Sequence, residues 1–130
     1  TIKDQDLSKL AWMQDQRYTV IKFFTLINEG NIDKALEMMD DSMITNSNAN
    51  KLWKENLSSI TGHEFKSTGF AVSDETGWTE DTQIFEVVIK IPNNNANLEK
   101  YGWNQGENTR WITLKKYGTT WKIHEISTSP

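Results

Sequence analysis

Residues 82–91 read Thr-Gln-Ile-Phe-Glu-Val-Val-Ile-Lys-Ile and carry the strongest secondary-structure signal in the chain. Apolar side chains occupy every second position from Phe85 to Ile91, and Glu86 and Lys90 fall between them. A β-strand sends successive side chains to opposite faces of a sheet, so this period of two predicts a strand with one buried face. Glu86 and Lys90 then share the polar face, where an ion pair between strands explains the carboxylate better than a general base does.

Three further stretches show the same period and predict a sheet around this strand. They are residues 64–74, residues 109–116 and the residues that follow a turn at 117–119. In the last stretch Trp121 and Ile123 share one face, and emptying the Trp121 site is expected to cost about 3–5 kcal/mol. The tryptophans on apolar periodicities are predicted core residues: Trp53, Trp111 and Trp121.

The chain before residue 61 has helical periodicity instead. From residue 7 to 28 a single stripe recurs at helical spacing, made of Leu10, Met13, Arg17, Val20, Ile21, Phe24 and Ile27. Gly30 is expected to end this helix in a left-handed conformation, and Asn31 is expected to cap the next helix. The second helix carries an apolar face made of Ile32, Ala35, Leu36 and Met39.

Residues 46–50 are rich in asparagine and predict a loop, after which Trp53, Leu57 and Ile60 indicate a short third helix. Helices followed by strands with short connections are typical of an α+β fold with an antiparallel sheet. Because 130 residues suit one domain and no repeat interrupts them, residues 1–130 are interpreted as a single domain.

Composition excludes several classes of function. The chain has 14 Lys+Arg against 18 Asp+Glu, a net charge of −4, which argues against a nucleic-acid partner. The absence of cysteine removes disulfides, thiolate nucleophiles and iron–sulfur ligation, and two histidines are too few for a His-rich metal site. No phosphate-binding glycine loop or serine-nucleophile motif occurs, so we expect no cofactor, no metal and no catalytic residue.

The edges of the chain leave its cellular setting open. The sequence begins at Thr1 rather than Met, which is explained either by an expression boundary or by removal of a leader or lipid anchor. No apolar run approaches the length of about 18 residues that a membrane span needs. We therefore expect contact with a membrane only through a missing N-terminal anchor.

Three stretches resemble the nuclear transport factor 2-like superfamily, also described as cystatin-like cone domains. Residues 20–39 are similar to its join between the first two helices, Phe85–Ile91 to a central strand, and residues 117–126 to its closing hairpin. The resemblance implies N-terminal helices packed on a strongly curved antiparallel sheet, which together form a cone with an open end.

The Asn/Lys-rich composition and the Ser-Thr-Ser-Pro ending look like small extracytoplasmic lipoprotein domains of Gram-positive bacteria. This resemblance implies a cell-surface location outside the cytoplasm. Superfamily enzymes such as ketosteroid isomerase and scytalone dehydratase use an aspartate or histidine inside the cone. The same cone also serves as a scaffold domain in conjugation and type IV secretion machines.

The titratable residues are each interpreted as structural or surface groups. His63 is predicted to lie on the surface, and Asp40 and Asp41 to form a solvated helix end. Strand alternation places His124 on the face opposite the core, toward solvent or a partner. His124 and Glu86 are therefore predicted not to be catalytic, since a working base needs a position inside the pocket.

Residues 92–108 form an unusually long connection between two predicted strands, and we expect a protruding, mobile loop that proteases cut first. Its aromatic residues either fold back onto the sheet or form a binding lip. Trp12, Trp78 and Trp103 lie among polar neighbours, where an exposed ring can stack on a sugar or a partner side chain. The candidate ligand- or partner-binding residues are Tyr101, Trp103, Trp12 and Trp78.

These observations favour a non-enzymatic accessory or interaction domain of an exported bacterial protein, whose partner is a protein or a small ligand. Self-association through the outer sheet face as a homodimer is a further expectation. The alternatives are an isomerase- or dehydratase-like enzyme that uses the cone pocket, and a secretion-machine scaffold. A titratable group inside an enclosed apolar pocket would favour the enzyme.

Overall fold

The computed structural model describes residues 4–70, 79, 81–92 and 98–128, and the side chains among them except those of residues 4–15, 69 and 70. Within this part of the chain the helices are α1 (Asp4–Asn28), α2 (Ile32–Glu37) and α3 (Ser47–Ser59). The strands are β1 (Glu64–Phe70), β2 (Thr82–Ile91), β3 (Gly106–Tyr117) and β4 (Thr120–Ser127). The predicted α+β class is confirmed.

The four strands form one antiparallel sheet in the order β1-β2-β3-β4, so each strand pairs with its neighbour in sequence. The predicted bounds of β2 are confirmed, and β3 extends beyond the predicted 109–116 at both ends. The prediction for residues 71–74 and for the turn after them lies outside the described residues. Alternate side chains of β2 are buried, namely Gln83, Phe85, Val87, Ile89 and Ile91.

The helices cover the buried face of this sheet. The Phe24 ring of α1 lies 5.6 Å from the Phe65 ring of β1, measured between centroids. The four apolar residues predicted for α2 are all buried, but Met39 follows the end of the helix and pairs with Ile123 instead. Phe23, absent from the predicted stripe, is also fully buried, because α1 packs on a wider arc than a single stripe.

The helix ends follow only part of the prediction. Gly30 adopts a φ of 80°, the left-handed conformation expected after α1. Asn31 stands at the N-cap position of α2, as predicted, but its side chain makes no capping bond; its amide donates to Glu29 instead. The predicted loop at residues 46–50 is also wrong, because Asn46 caps α3 by accepting from the Ala49 N–H and the helix starts there.

The predicted core tryptophans are all half-buried rather than fully buried. Trp53 and Trp121 pack against the edge of the core, whereas Trp111 pairs with Glu86 on the opposite side of the sheet. Ile123, predicted to share the inner face with Trp121, is completely buried. Trp121 packs against the core as predicted but is only partly enclosed, since its ring lies near the β3–β4 turn, where less of the core surrounds it.

The segment after α2 lies alongside β4. The Ile123 N–H donates to the Met38 carbonyl at 2.8 Å, and the Asp40 N–H donates to the Ile123 carbonyl at 2.6 Å. These bonds form a short parallel bridge that covers part of an otherwise open sheet edge. They also hold the Asp40 side chain beside the end of the sheet.

Candidate functional site

Residues 98–103 fold back against α3 instead of protruding, and they are called the folded-back segment below. Leu98 is buried, and Trp103 is 2% exposed. The Trp103 indole Nε1 donates to Asn56 Oδ1 of α3 at 2.7 Å, and the Arg110 guanidinium lies 4.5 Å above the ring. The prediction of a protruding loop is wrong for this part, while residues 93–97 lie outside the described chain.

The two aromatic residues of this segment, Tyr101 and Trp103, differ in how deeply they are buried. Trp103 was predicted as an exposed binding ring, and its burial shows that this is wrong. Tyr101 is half-buried, and its hydroxyl donates to Glu55 Oε2 at 2.6 Å. That hydrogen bond to a carboxylate raises the pKa of Tyr101. Both residues bind to α3 through their polar groups, and the Trp103 ring also contacts Arg110 of β3.

An open groove of about 640 Å³ lies between α3 and the folded-back segment. Its lining consists of Lys51, Lys54, Glu55, Ser58, Ser59, Lys100 and Tyr101. A second cavity of about 410 Å³ shares Lys51 and Lys54 and continues toward the start of α3. Of the two predicted binding residues whose side chains the structure describes, Tyr101 lines this groove and Trp103 does not.

The other two predicted binding aromatics are not placed. Trp12 belongs to α1, but its side chain lies outside the described part of the structure, and Trp78 lies outside it altogether. Their proposed binding role remains a prediction.

Asp40 forms a compact polar cluster that the sequence did not indicate. Its Oδ2 accepts hydrogen bonds from the Tyr117 hydroxyl and from His124 Nδ1, the latter at 2.7 Å. Its Oδ1 accepts from the Ser42 N–H at 2.9 Å, which caps a 3₁₀ turn at Asp41–Met43. Asp40 is only 5% exposed, so its prediction as a solvated helix end is wrong.

The electrostatics of the cluster keep Asp40 ionised. Burial raises the pKa of Asp40, but hydrogen bonds from Tyr117, the Ser42 backbone and His124 outweigh burial and hold that pKa well below its usual range. The same contact raises the pKa of the Tyr117 phenol. An ionised carboxylate can only accept, so Nδ1 of His124 carries the proton of this hydrogen bond.

His124 reaches Asp40 because β4 contains a bulge. Thr113 pairs with Glu125 and Leu114 pairs with Ile123, so His124 has no partner residue on β3. A bulge re-aims the extra side chain, here toward the segment after α2. The predicted outward-facing His124 is wrong in this respect, because its ring makes an internal hydrogen bond to Asp40 and its side chain is 29% exposed.

A small cavity of about 250 Å³ lies beside this cluster and is lined by Asp40, Asp41, Tyr117 and Lys122. Each of these four side chains carries a polar or charged group, and three of them take part in or border the Asp40 cluster. Glu86 is exposed on the opposite face of the sheet, as predicted.

His63 was predicted to lie on the surface, but it is buried. Its Nδ1 is 2.9 Å from the Ile60 carbonyl, its ring meets the Phe24 ring edge-on at 5.5 Å, and its Nε2 has no hydrogen-bond partner. Burial lowers the pKa of His63, and the Ile60 contact only partly offsets this. The surface prediction failed because His63 follows the end of α3 and belongs to no periodic pattern, so nothing in the sequence around it indicates burial.

The described residues contain no group of three His, Asp or Glu side chains that could hold a metal ion. None of the helices in the same part of the chain combines the length and apolar composition of a membrane-crossing segment. Compared with protein-family models, curated proteins and solved structures, the chain has no significant match.

Proposed function

We propose that this chain is a non-enzymatic interaction domain that binds its partner in the groove between α3 and the folded-back segment at 98–103. The observation that carries this proposal is the groove itself, which combines an aromatic wall with several polar side chains. Binding sites are typically concave and contain a few convergent polar groups. The resemblances to cone domains and to exported lipoprotein domains of Gram-positive bacteria support an extracytoplasmic accessory role.

The walls of the groove are held in place before any ligand arrives. Trp103 anchors the segment to Asn56 of α3, and the Tyr101 hydroxyl is fixed to Glu55. Side chains that are already ordered lose little conformational entropy on binding, which favours affinity. A recognition surface of this kind needs no catalytic group.

The test is an NMR titration of the backbone amides with three polymers: polygalacturonate, dextran and a mixture of unstructured peptides. We expect at least one polymer to shift the amides of Lys51, Ser58 and Tyr101 saturably and to be recovered unchanged. Tyr101→Leu is expected to weaken this binding, while Tyr18→Leu, at a tyrosine that is 73% exposed on α1, serves as the matched control. Shifts confined to other surfaces, no binding at all, or chemical alteration of the polymer would overturn the proposal.

A second candidate function is supported by the Asp40–His124 pair. A carboxylate that holds Nδ1–H leaves the other imidazole nitrogen free to accept a proton, the arrangement used in general base catalysis. The corresponding enzyme would move a proton on a small carbonyl compound, as the isomerase-like alternative requires.

This candidate is tested by proton exchange from a panel of small ketones in heavy water. Exchange above the buffer rate that is lost in His124→Gln would support it, with His63→Phe as the matched control at the other histidine. Exchange at the buffer rate would count against it.

A further inference from the structure

The groove between α3 and the folded-back segment has a charge opposite to that of the whole chain. The chain carries a net charge of −4, yet the described residues that line the groove include three lysines and one carboxylate. From this contrast and from the Tyr101 wall, we infer that the ligand of the groove is an acidic glycan, a sugar polymer that bears carboxylate or phosphate groups. This inference rests on the proposed function and names its ligand class.

The floor of the groove presents its charges along one face of α3. Lys51, Lys54 and Ser58 follow the i, i+3, i+7 spacing that places side chains on the same side of a helix. Seven residues of helix extend over about 10 Å, so the face is longer than a single anionic group. An extended ligand with repeated charges fits this spacing better than a free anion does.

The opposite wall supplies an aromatic ring and a third cation. The Lys100 ammonium lies 5.4 Å from the centroid of the Tyr101 ring, and both residues line the groove. An aromatic ring offers a large flat surface at a small cost in conformational entropy, which suits the face of a sugar. A polymer that combines sugar rings with negative charges satisfies both features.

The carboxylates of Glu55 and Asp33 would repel an anionic ligand, and each already binds another side chain. Glu55 accepts the Tyr101 hydroxyl at 2.6 Å, and Asp33 of α2 lies 3.1 Å from the Lys54 ammonium. The Lys54–Asp33 pair is exposed, with 53% and 78% of the two side chains accessible, and exposed pairs contribute little. An incoming anion can therefore exchange with Asp33 at Lys54.

The groove also continues past the lysines toward the start of α3. The second cavity shares Lys51 and Lys54 and adds the polar side chains of Ser47 and Asn50. Hydroxyl and amide groups of this kind bind the hydroxyls of neutral sugar units. The two cavities therefore adjoin each other at Lys51 and Lys54, which gives an extended polymer two neighbouring places to bind.

The first experiment measures the affinity of the full chain for polygalacturonate, dextran and a single-stranded oligonucleotide. We expect polygalacturonate to bind, with about a tenfold loss in affinity when the salt is raised from about 0.05 to about 0.2 M. Dextran is expected to bind much more weakly because it lacks the charges. An oligonucleotide that binds as tightly as polygalacturonate would overturn the assignment to a glycan.

Lysine variants locate the binding and control for net charge. The triple variant Lys51→Gln, Lys54→Gln, Lys100→Gln is expected to bind polygalacturonate about tenfold more weakly, and its salt dependence should flatten. The matched control removes three exposed lysines elsewhere, Lys22, Lys90 and Lys116, and is expected to keep the affinity within about twofold. Equal losses in both triple variants would overturn the inference.

Asp33→Asn is expected to increase the affinity, a result that misfolding cannot produce because a misfolded variant would lose binding. Removing this carboxylate frees Lys54, so we expect polygalacturonate to bind about two- to threefold more tightly. Unchanged or weaker binding by Asp33→Asn would count against the inference. If dextran or a peptide binds in the groove and the lysine variants leave that binding intact, the acidic-glycan inference fails while the proposed function stands.

Discussion

His124 Nδ1 lies 2.7 Å from Oδ2 of Asp40, although 84 positions separate the two residues in the sequence. The bulge in β4 and the parallel bridge between Met39 and Ile123 bring them together. Tyr117, on the other strand of the closing hairpin, donates to the same oxygen. The pair therefore joins the end of the helical half to the last two strands.

We expect Asp40→Asn to lower the free energy of unfolding by about 2 kcal/mol, because hydrogen bonds to a buried charged group are among the stronger ones. Burial of Asp40 raises its pKa, but the hydrogen bonds of Tyr117, Ser42 and His124 prevail and depress that pKa in the folded state. The associated stability is present above the unfolded pKa of about 3.9 and is lost as the pH falls below it.

Urea denaturation at several pH values between about 6 and 3 tests this. The wild type is expected to lose more stability on acidification than Asp40→Asn, in which this group no longer titrates. A double-mutant cycle with His124→Gln then measures the coupling of the pair. Identical acid profiles in wild type and Asp40→Asn would contradict the assignment.

His63 is expected to make the protein less stable as the pH falls from 7 to 5. Burial lowers the pKa of His63, so protons bind the unfolded chain first once the pH drops below about 6.5, and stability is lost below that value. We expect His63→Phe to retain about 1 kcal/mol more of its neutral-pH stability at pH 5. His124→Gln is the matched control, and an equal acid loss in wild type and His63→Phe would show that His63 titrates normally.

The sequence predicted those parts of the fold in which one pattern runs through a whole element. The alternation in β2 and the apolar face of α2 report burial directly, and both are confirmed. The roles of Asn31 and Asn46 could not be predicted in the same way. Asparagine is favoured both in loops and at helix starts, so the residue type alone does not show which of the two applies.

The candidate site was harder to predict because its parts come from distant segments. No local pattern links Asp40 to His124, and the bulge that re-aims His124 depends on pairing with β3. The groove likewise arises because Trp103 is held by Asn56, a contact between polar-looking stretches. Tyr101 was a candidate only because aromatic residues are unexpected in a solvated loop.

Ile123→Ala is expected to cost more stability than Trp121→Ala. Ile123 is fully buried and its removal leaves a cavity, for which about 2–5 kcal/mol is usual, whereas Trp121 is half-buried. Chemical denaturation of the two variants decides the ranking. A larger loss for Trp121→Ala would restore the tryptophan as the principal core residue of β4.

The folded-back segment is expected to resist proteolysis as long as Trp103 is buried. Lys100 is exposed, but cleavage there requires the segment to detach from α3. Trp103→Ala empties a buried site at a cost of about 3–5 kcal/mol, so trypsin should cut after Lys100 much faster. Arg110→Lys, which leaves Trp103 and its bond to Asn56 in place, is expected to change the rate much less.

Gln83 is completely buried on the inner face of β2, yet neither its amide nitrogen nor its amide oxygen has a hydrogen-bond partner. A buried amide without partners costs about 1–3 kcal/mol, so Gln83→Met, which keeps the length of the side chain, is expected to stabilise the fold by about 1 kcal/mol.

Asn108 provides the matched control for Gln83, because its side-chain amide is also buried but has hydrogen-bond partners for both its oxygen and its nitrogen. Its oxygen accepts from the Asn104 N–H at 2.9 Å, and its nitrogen donates to the carbonyls of Asn104 and Gly106. Asn108→Leu is therefore expected to destabilise the fold, the opposite sign from Gln83→Met. If Gln83→Met instead lowers the midpoint of urea denaturation, the expectation is contradicted. The Gln83 amide would then be hydrogen-bonded in solution, to a water molecule or a polar ligand inside the core.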